Sequence, residues 1–250
     1  MQAQVSLTVS EAKRLIAKGI AEYQPVLEAL REGWVAVAKG TTNAYVVEEL
    51  TGKKIDKRKY VTGRVVPAGR KGDLGLSAEL PDLVLHKGER VEGGSATDAL
   101  KEMGPGDVFM KGANALNYEE RLAGILIGHP TGGTIGAALG MVTARRIRLI
   151  VPVGLEKQVP YNLIDASYLV GAGEEERPKN FPALWPVYGD VFTEIEAFRE
   201  LFDVEAFPIA AGGIAGAEGA TWFCLQGDKR SVSDALKMVD EVQGEPAFVE

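Results

Sequence analysis

The middle of the chain alternates short apolar runs with polar, glycine-rich loops. Val108–Met110, Gly124–Ile127 and Ile147–Val153 are apolar runs of strand length. Apolar residues at helical spacing fill the interval from Ile135 to about Arg146. Strands that are apolar almost throughout, joined by helices, are typical of a parallel sheet covered on both faces. The pattern therefore predicts an α/β fold with a parallel, doubly covered, Rossmann-like sheet.

The N-terminal part repeats this alternation. Thr8 and Glu11 have the spacing of a capping box, and apolar residues follow at helical intervals. Gly33 is expected to end this helix. Trp34–Ala38 then predicts a buried strand, and Asn43–Leu50 predicts the next helix.

The pattern changes after residue 153. Ala166–Val170 is an apolar run that predicts a last strand of the main sheet, whereas the acidic, proline-containing residues 171–190 predict a long connection. The elements predicted beyond it are a helix, two strands, a helix and a short final run: Thr193–Phe202, Ala206–Ala211, Thr221–Gln226, Ser231–Val242 and Ala247–Val249. With a further strand near Trp185–Val187, this order is that of a small ferredoxin-like α+β module. We expect an α/β ligand-binding domain over 1–170, the connection over 171–190 and the module over 191–250.

Three loops carry the candidate chemistry. Residues 39–42 separate a strand from a helix, residues 111–117 follow another strand, and the glycine loop over 128–134 opens onto the helix at Ile135. Free N–H groups at a helix N-terminus suit an anion, and ligands of open α/β sheets lie beyond the carboxyl ends of the strands. The alternatives are that Thr41 and Thr42 only cap their helix and that the glycines only permit tight turns.

Composition narrows the function classes. The 250 residues carry a formal net charge of -7, which argues against a nucleic-acid partner. Cys224 is the single cysteine, so an intramolecular disulfide and a cysteine metal cluster are excluded, and a reducing compartment is expected. The first residues lack a signal-peptide pattern, and no run approaches the length of a membrane span. We predict a cytoplasmic protein with no membrane partner, no metal and no cofactor.

All three of these loops resemble segments of a known family. Lys39–Leu50 resembles the Gly-Ser/Thr-Thr phosphate loop and following helix of ribose-5-phosphate isomerase A. The turn over 111–117 and the loop and helix over Gly132–Leu139 resemble that family's Asp-Gly-Ala-Asp-Glu turn and Lys-Gly-Gly-Gly loop, in the same order and at the same separation. The resemblance covers roughly residues 10 to 155 and points to the superfamily of such isomerases, glucosamine-phosphate deaminases, sugar-responsive repressor domains and coenzyme A transferases. It implies a sugar-phosphate or carboxylate ligand and, because these families commonly self-associate, a homo-oligomer.

The catalytic residues of the isomerase are not retained. Lys111 and Asn114 stand where the family has two aspartates, and residues 128–130 replace the loop lysine. An amide cannot accept a proton as a carboxylate does, so the same isomerisation by the same residues is not expected. The glutamate nucleophile of coenzyme A transfer has no match either, although Glu119 and Glu120 lie close to the turn.

The remaining polar positions define the predicted site. His129 is the first catalytic candidate because its ordinary pKa lies near neutrality, and Lys111 is the second. The alternative for His129 is a loop histidine that hydrogen-bonds the backbone. The predicted ligand-binding residues are Lys39, Gly40, Thr41, Thr42, Gly112, Asn114, Asn117, Thr131, Gly132, Gly133 and Thr134.

These residues leave several functions open. The first is an isomerase- or transferase-type enzyme with an altered active site, acting on a small anionic metabolite. The second is a non-catalytic sensor or binder of such a ligand. A third hypothesis treats residues 131–136 as a dinucleotide loop, but its glycines do not have G-x-G-x-x-G spacing. We favour the enzyme slightly, because the glycine loops are retained and Lys111 and His129 are gained.

Overall fold

The computed structural model describes residues 1–67, 69, 74–171 and 182–249. Its strands are β1 Gln2–Leu7, β2 Trp34–Val37, β3 Leu83–His86, β4 Glu89–Arg90, β5 Val108–Met110, β6 Ala115–Asn117, β7 Leu122–Ile127, β8 Arg148–Pro152, β9 Ala183–Tyr188, β10 Asp190–Phe192, β11 Glu205–Ala211 and β12 Thr221–Gln226. Its α-helices are α1 Val9–Glu22, α2 Gln24–Glu32, α3 Thr41–Thr51, α4 Ala96–Ala99, α5 Gly133–Arg145, α6 Leu163–Gly171, α7 Glu194–Phe202 and α8 Lys229–Val242. Short 3-10 helices lie at Lys57–Lys59 and Leu155–Lys157. The α/β class is confirmed.

The largest sheet is mixed rather than purely parallel. Its order is β10-β8-β5-β2-β3-β4, and the first four strands are mutually parallel. Strand β3 pairs antiparallel with β2, with Trp34 opposite His86, and β4 continues that hairpin. An apolar run does not encode strand direction, which is why the antiparallel edge was not predicted.

The parallel strands supply the centre of the core. All three residues of β5 are buried, although successive side chains of a strand point to opposite faces. The last three residues of β2 and the last four of β8 are buried as well. Helix α1 packs on α3 and α7, and α4 packs on α5.

A second sheet contains Gly124–Ile127, one of the apolar runs that were expected in the parallel sheet. Strand β7 pairs antiparallel with β6 and β9, so Gly124–Ile127 is a strand but lies outside the parallel sheet. Strand β9 includes Trp185–Val187, which was predicted for the C-terminal module. Residues 172–181 lie outside the described residues. The described remainder of the predicted connection, 182–190, is mostly strand.

The third sheet joins the two ends of the chain. Strand β12 pairs antiparallel with β1 on one side and with β11 on the other. The predicted strands and helices after residue 191 are present, except that Ala247–Val249 is not a strand. Because β1 completes this sheet, the sheet is not built from C-terminal residues alone.

Two local predictions are corrected. Ala166–Val170 lies in helix α6, not in a strand: the Asn162 side chain accepts hydrogen bonds from the N–H groups of Ile164 and Asp165 and begins the helix. The single helix expected before Gly33 is two helices, because Pro25 lacks an N–H donor and lies in the first turn of α2. The capping box at Thr8 is confirmed.

Within the described ranges, no helix has both the length and the apolar character needed to cross a bilayer.

Candidate functional site

The candidate loops follow the carboxyl ends of the parallel strands. The N–H of Ala38, just after β2, donates to the carbonyl of Met110 in β5 (3.0 Å), and the N–H of Lys111 donates to the carbonyl of Ile150 in β8 (3.1 Å). The strands therefore end at one level. The segments after β2, β5 and β8 consequently leave the sheet at the same edge, which is where ligands of such sheets bind.

The first loop presents the N-terminus of α3. Asn43 donates through Nδ2 to the carbonyl of Ala38 (2.7 Å), which fixes the start of the helix to the end of β2. Helix α3 has no side-chain cap. The first N–H groups of a helix have no partner inside the helix, so those at Thr41 and Thr42 face the sheet edge uncapped. The Thr42 hydroxyl is also buried with no hydrogen-bond partner in the described structure.

The second loop presents the N-terminus of α5. Its turn is closed by the N–H of Gly132 donating to the carbonyl of His129 (3.0 Å). Gly132 has a φ of +84°, and a Cβ on Gly136 would lie 2.7 Å from the Thr131 carbonyl. Both positions therefore require glycine for local packing. Helix α5 also has no side-chain cap, so a second uncapped helix N-terminus opens onto the site.

Lysine side chains approach the same place from two other segments. Lys111 Nζ donates to the carbonyl of Gly112 (3.1 Å), and Lys157 Nζ donates to the next carbonyl, that of Ala113 (2.7 Å). No carboxylate lies within 4.0 Å of either ammonium among the described residues. Burial and then the charge of Lys157 lower the pKa of Lys111 to about 8. Burial likewise lowers the pKa of Lys157, against the attraction of Glu156 and Glu194.

Lys39 differs from these two lysines. Its Nζ lies 3.3 Å from a carboxylate oxygen of Asp82, whose other oxygen accepts the N–H of Ala96 (2.9 Å). The charge of Lys39 is therefore already balanced within the protein.

These segments enclose a cleft of about 660 Å³. The predicted residues that line it are Lys39, Gly40, Thr41, Thr42, Lys111, Gly112, Asn114, His129, Gly132, Gly133 and Thr134. No Asp or Glu is among the described lining residues. A cleft that gathers cationic and N–H groups without carboxylates has a positive local potential, despite the net charge of -7.

Two predicted residues do not line the cleft. Asn117 lies at the end of β6, where its side chain accepts the N–H of Glu120 (3.2 Å). Thr131 is an exposed residue of the glycine loop, and its hydroxyl is 2.9 Å from His129 Nδ1. Both side chains therefore serve local turns. Asn114 does line the cleft, but its side-chain oxygen accepts the N–H of Leu126 (3.0 Å) and holds the β6–β7 hairpin.

The sequence did not point to several other lining residues. They are Lys157, Thr62, Gly63, Arg64, Val65, Ile125, Leu126, Ile127, Ile135 and Pro182. Lys157 follows β8 as Lys39 follows β2 and Lys111 follows β5, so the strand-end rule could have found it. Thr62–Val65 come from a stretch without regular periodicity and carry no such signal.

Behind Lys157 lies a buried group of titratable side chains. Glu194, just after β10, is 1% exposed and accepts the N–H of Leu155 (3.1 Å). Burial and the neighbouring Glu156 raise the pKa of Glu194. Burial lowers the pKa of Lys13 to about 8, partly offset by Glu156. One oxygen of Glu156 is buried without a hydrogen-bond partner in the described residues. No group of three or more His, Cys, Asp or Glu side chains in the described ranges is arranged to hold a metal ion.

The chain matches no protein-family model, and neither a curated protein nor a solved structure matches it.

Proposed function

We propose that the cleft binds a small anionic metabolite of the sugar-phosphate or carboxylate class. One observation carries the proposal: two uncapped helix N-termini and two lysines without carboxylate partners line a cleft in which the described residues supply no Asp or Glu. A phosphate or carboxylate supplies the charge and the acceptors that these groups lack.

The proposal includes a distant relation to the ribose-5-phosphate isomerase A, glucosamine-phosphate deaminase and coenzyme A transferase superfamily. Its support is that the three loops carrying the resemblance all contribute residues to one cleft. The doubly covered, Rossmann-like arrangement and the ferredoxin-like module belong to the same proposal. Burial of every residue in β5 supports the covered sheet.

A standard ribose-phosphate isomerase is not proposed. Moving a proton between adjacent carbons requires a base beside the substrate, and the described lining residues include no carboxylate. A chemical transformation would therefore depend on Lys111 or His129. A sensor that binds the ligand without turning it over is the alternative, since binding needs only the helix N-termini and the lysines.

A dinucleotide site has less support. The glycine loop before α5 follows β7, which belongs to the antiparallel sheet, whereas a dinucleotide loop follows a strand of the parallel sheet.

We also propose that the protein self-associates and that it is cytoplasmic. Trp185 and Tyr188 on β9 and Tyr168 on α6 are exposed aromatic residues that favour a homo-oligomer. Light scattering that gives the mass of one 26.8 kDa chain at all concentrations would exclude self-association.

The test is thermal-shift screening with sugar phosphates, carboxylates, coenzyme A thioesters and NAD, because a ligand that binds the native state stabilises it. Phosphorylated or carboxylated compounds should raise the melting temperature. Lys111→Ala should weaken the best hit about tenfold or more, because a hydrogen bond to a charged group contributes roughly 1.5 to 3 kcal/mol. Lys53→Ala, which removes an exposed lysine outside the cleft, is the matched control. Equal affinity in both variants would contradict the anion cleft.

A further inference from the structure

We propose that Lys111 is a nucleophile that forms an imine with its ligand, so that the substrate class is a small aldehyde or ketone carrying a carboxylate or phosphate. This inference rests on the proposed function, since the cleft must hold the anionic part of the ligand. It adds the reacting group and the bond that forms.

The surroundings of the Lys111 amine differ from those of an ordinary structural lysine. The side chain is half-buried, lines the cleft and, among the described residues, makes one hydrogen bond, to the Gly112 carbonyl. Lys39 lines the same cleft but forms an ion pair with Asp82. A carboxylate partner holds an amine in its protonated, non-nucleophilic form, and Lys111 has no such partner among the described residues.

A second amine lies next to Lys111. Lys157 and Lys111 donate to consecutive carbonyls of one turn, those of Ala113 and Gly112. Removal from water and a neighbouring cation both favour the neutral amine, which is how lysine nucleophiles are activated. With the pKa of Lys111 lowered to about 8, roughly a tenth of its amines are neutral at pH 7, against fewer than about one in a thousand at an ordinary lysine.

Protonated Lys111 can pair with an anion that has no carbonyl, but the cleft offers the anionic part of a carbonyl ligand other groups as well. The N-termini of α3 and α5 and the ammonium of Lys157 are available to the phosphate or carboxylate. The carbonyl carbon can then approach Lys111 without requiring that amine to be charged. Holding the two reactants in one cleft raises their effective concentration.

The step balances without a further reactant. The lone pair of Nζ attacks the carbonyl carbon, a C–N bond forms, and a proton passes from the nitrogen to the oxygen to give a neutral carbinolamine. The hydroxyl then takes up a proton and leaves as water while the nitrogen lone pair forms the C=N bond of an iminium. The iminium loses the remaining nitrogen proton to give the imine. Solvent can exchange these protons, because His129 on the rim of the cleft is exposed.

The experiment traps the imine with glyoxylate, a small anionic aldehyde, and cyanoborohydride. Reduction leaves a carboxymethyl group on each lysine that reacted, and peptide mass spectrometry locates it. At pH 7.5, Lys111 should be labelled about tenfold or more faster than exposed Lys53 and ion-paired Lys39, because its neutral fraction is larger. Labelling of Lys111 at or below the rate of Lys53 would overturn the proposal.

Two variants separate activation from structure. Lys157→Met removes the neighbouring cation, so labelling of Lys111 should fall at pH 7.5 and its pH midpoint should rise. An unchanged midpoint would contradict activation by the lysine pair. Lys111→Arg keeps the charge but should abolish the fast-labelled site and leave Lys53 labelling unchanged. If fast labelling persists in Lys111→Arg, another residue is the nucleophile.

Sulfate, which carries no carbonyl, distinguishes failure of this inference from failure of the proposed function. Stabilisation by sulfate without fast labelling of Lys111 would refute the imine and retain the anion cleft. Fast labelling without any stabilisation by sulfate would refute the anion cleft as the holder of the ligand.

Discussion

Two cationic regions of this protein are built in opposite ways. Arg14 on α1 is 4% exposed and ion-paired with Glu48 (2.6 Å), Glu49 (2.8 Å) and Glu245 (2.9 Å). Lys111 in the cleft donates a hydrogen bond to the Gly112 carbonyl and lies beside a second lysine. The fold thus surrounds one cation with carboxylates and leaves the other without any in the described residues.

The pKa shifts follow this difference. Burial alone would lower the pKa of Arg14, but its hydrogen bonds to Glu245 and Glu48 outweigh burial and raise it. No described carboxylate compensates burial at Lys111, and burial together with the charge of Lys157 lowers its pKa to about 8. A buried charge without a partner costs free energy and is concentrated at functional sites. The comparison indicates that the Arg14 cluster serves stability, whereas the lysine pair serves a ligand.

The largest expected effect on stability comes from removing Arg14, the cation that is paired with carboxylates. Arg14→Met should lower the free energy of unfolding by about 3 to 5 kcal/mol, because it leaves buried carboxylates without their main partner. Urea denaturation at pH 7 measures this loss. Arg31→Met is the matched control: it removes a surface pair with Glu32 and should change stability by less than about 0.5 kcal/mol. Equal effects of the two variants would remove the contrast.

The corresponding substitution in the cleft should not lower the free energy of unfolding. Lys111→Met removes a partly buried charge that has no carboxylate partner among the described residues, so the free energy of unfolding should stay unchanged or rise by up to about 1 kcal/mol. The same urea titration tests this. A loss comparable to that of Arg14→Met would show that Lys111 holds the fold together and would contradict its assignment to a ligand.

The pH dependence of the free energy of unfolding tests the protonation state of Glu194, which belongs to the buried group of titratable side chains behind the cleft. Its folded pKa is raised above the ordinary 4.5. Between pH 5 and pH 8 the unfolded carboxyl is ionised while the folded one retains its proton, so its contribution to stability is present at low pH and is lost as pH rises. Its charged neighbours are Glu156, Lys13, Lys157 and Glu196.

Glu194→Gln should therefore flatten this decline and stabilise the protein at pH 8 by about 1 kcal/mol or more relative to the parent. Denaturation curves at pH 5, 6.5 and 8 for both proteins provide the measurement. Parallel pH dependence of parent and variant would show that Glu194 is ionised in the folded state.

The smallest effect is expected at the rim of the cleft. His129 is exposed, and its Nδ1 lies 2.9 Å from the Thr131 hydroxyl, so it has a local partner. His129→Asn should change anion affinity by less than about twofold and stability by less than about 0.5 kcal/mol. A tenfold loss of affinity in calorimetry would place the imidazole on the anion. If turnover is found, a loss of roughly 100-fold at unchanged affinity would identify His129 as a proton carrier.

Local signals in the sequence predicted much of the fold. The capping box at Thr8 and the buried strands β2 and β5 lie where the pattern placed them. Strand β1 was missed although Gln2–Leu7 alternates polar and apolar residues, since so short an alternation is a weak signal. The strand predicted at Ala166–Val170 was wrong because the period of a short apolar run does not distinguish a buried strand from a helix.

The site was predictable to the extent that it follows strand ends. Residues after β2 and β5 were found because the carboxyl ends of parallel strands share an edge. What could not be predicted is pairing across long distances in the chain. Neither the Lys39–Asp82 ion pair nor the contacts of Arg14 with three carboxylates correspond to a local pattern in the sequence. These contacts nevertheless distinguish a structural cation from one without a carboxylate partner.

The most direct test of the central claim is titration calorimetry of the parent and Lys111→Met with sulfate at pH 8, in buffers of different ionisation enthalpy. An anion beside an amine whose pKa is about 8 favours the protonated form. The account predicts that the parent binds sulfate with uptake of protons, and that Lys111→Met binds about tenfold or more weakly with less uptake. Binding of equal strength and equal proton uptake in both proteins, or no binding to the parent, would contradict it.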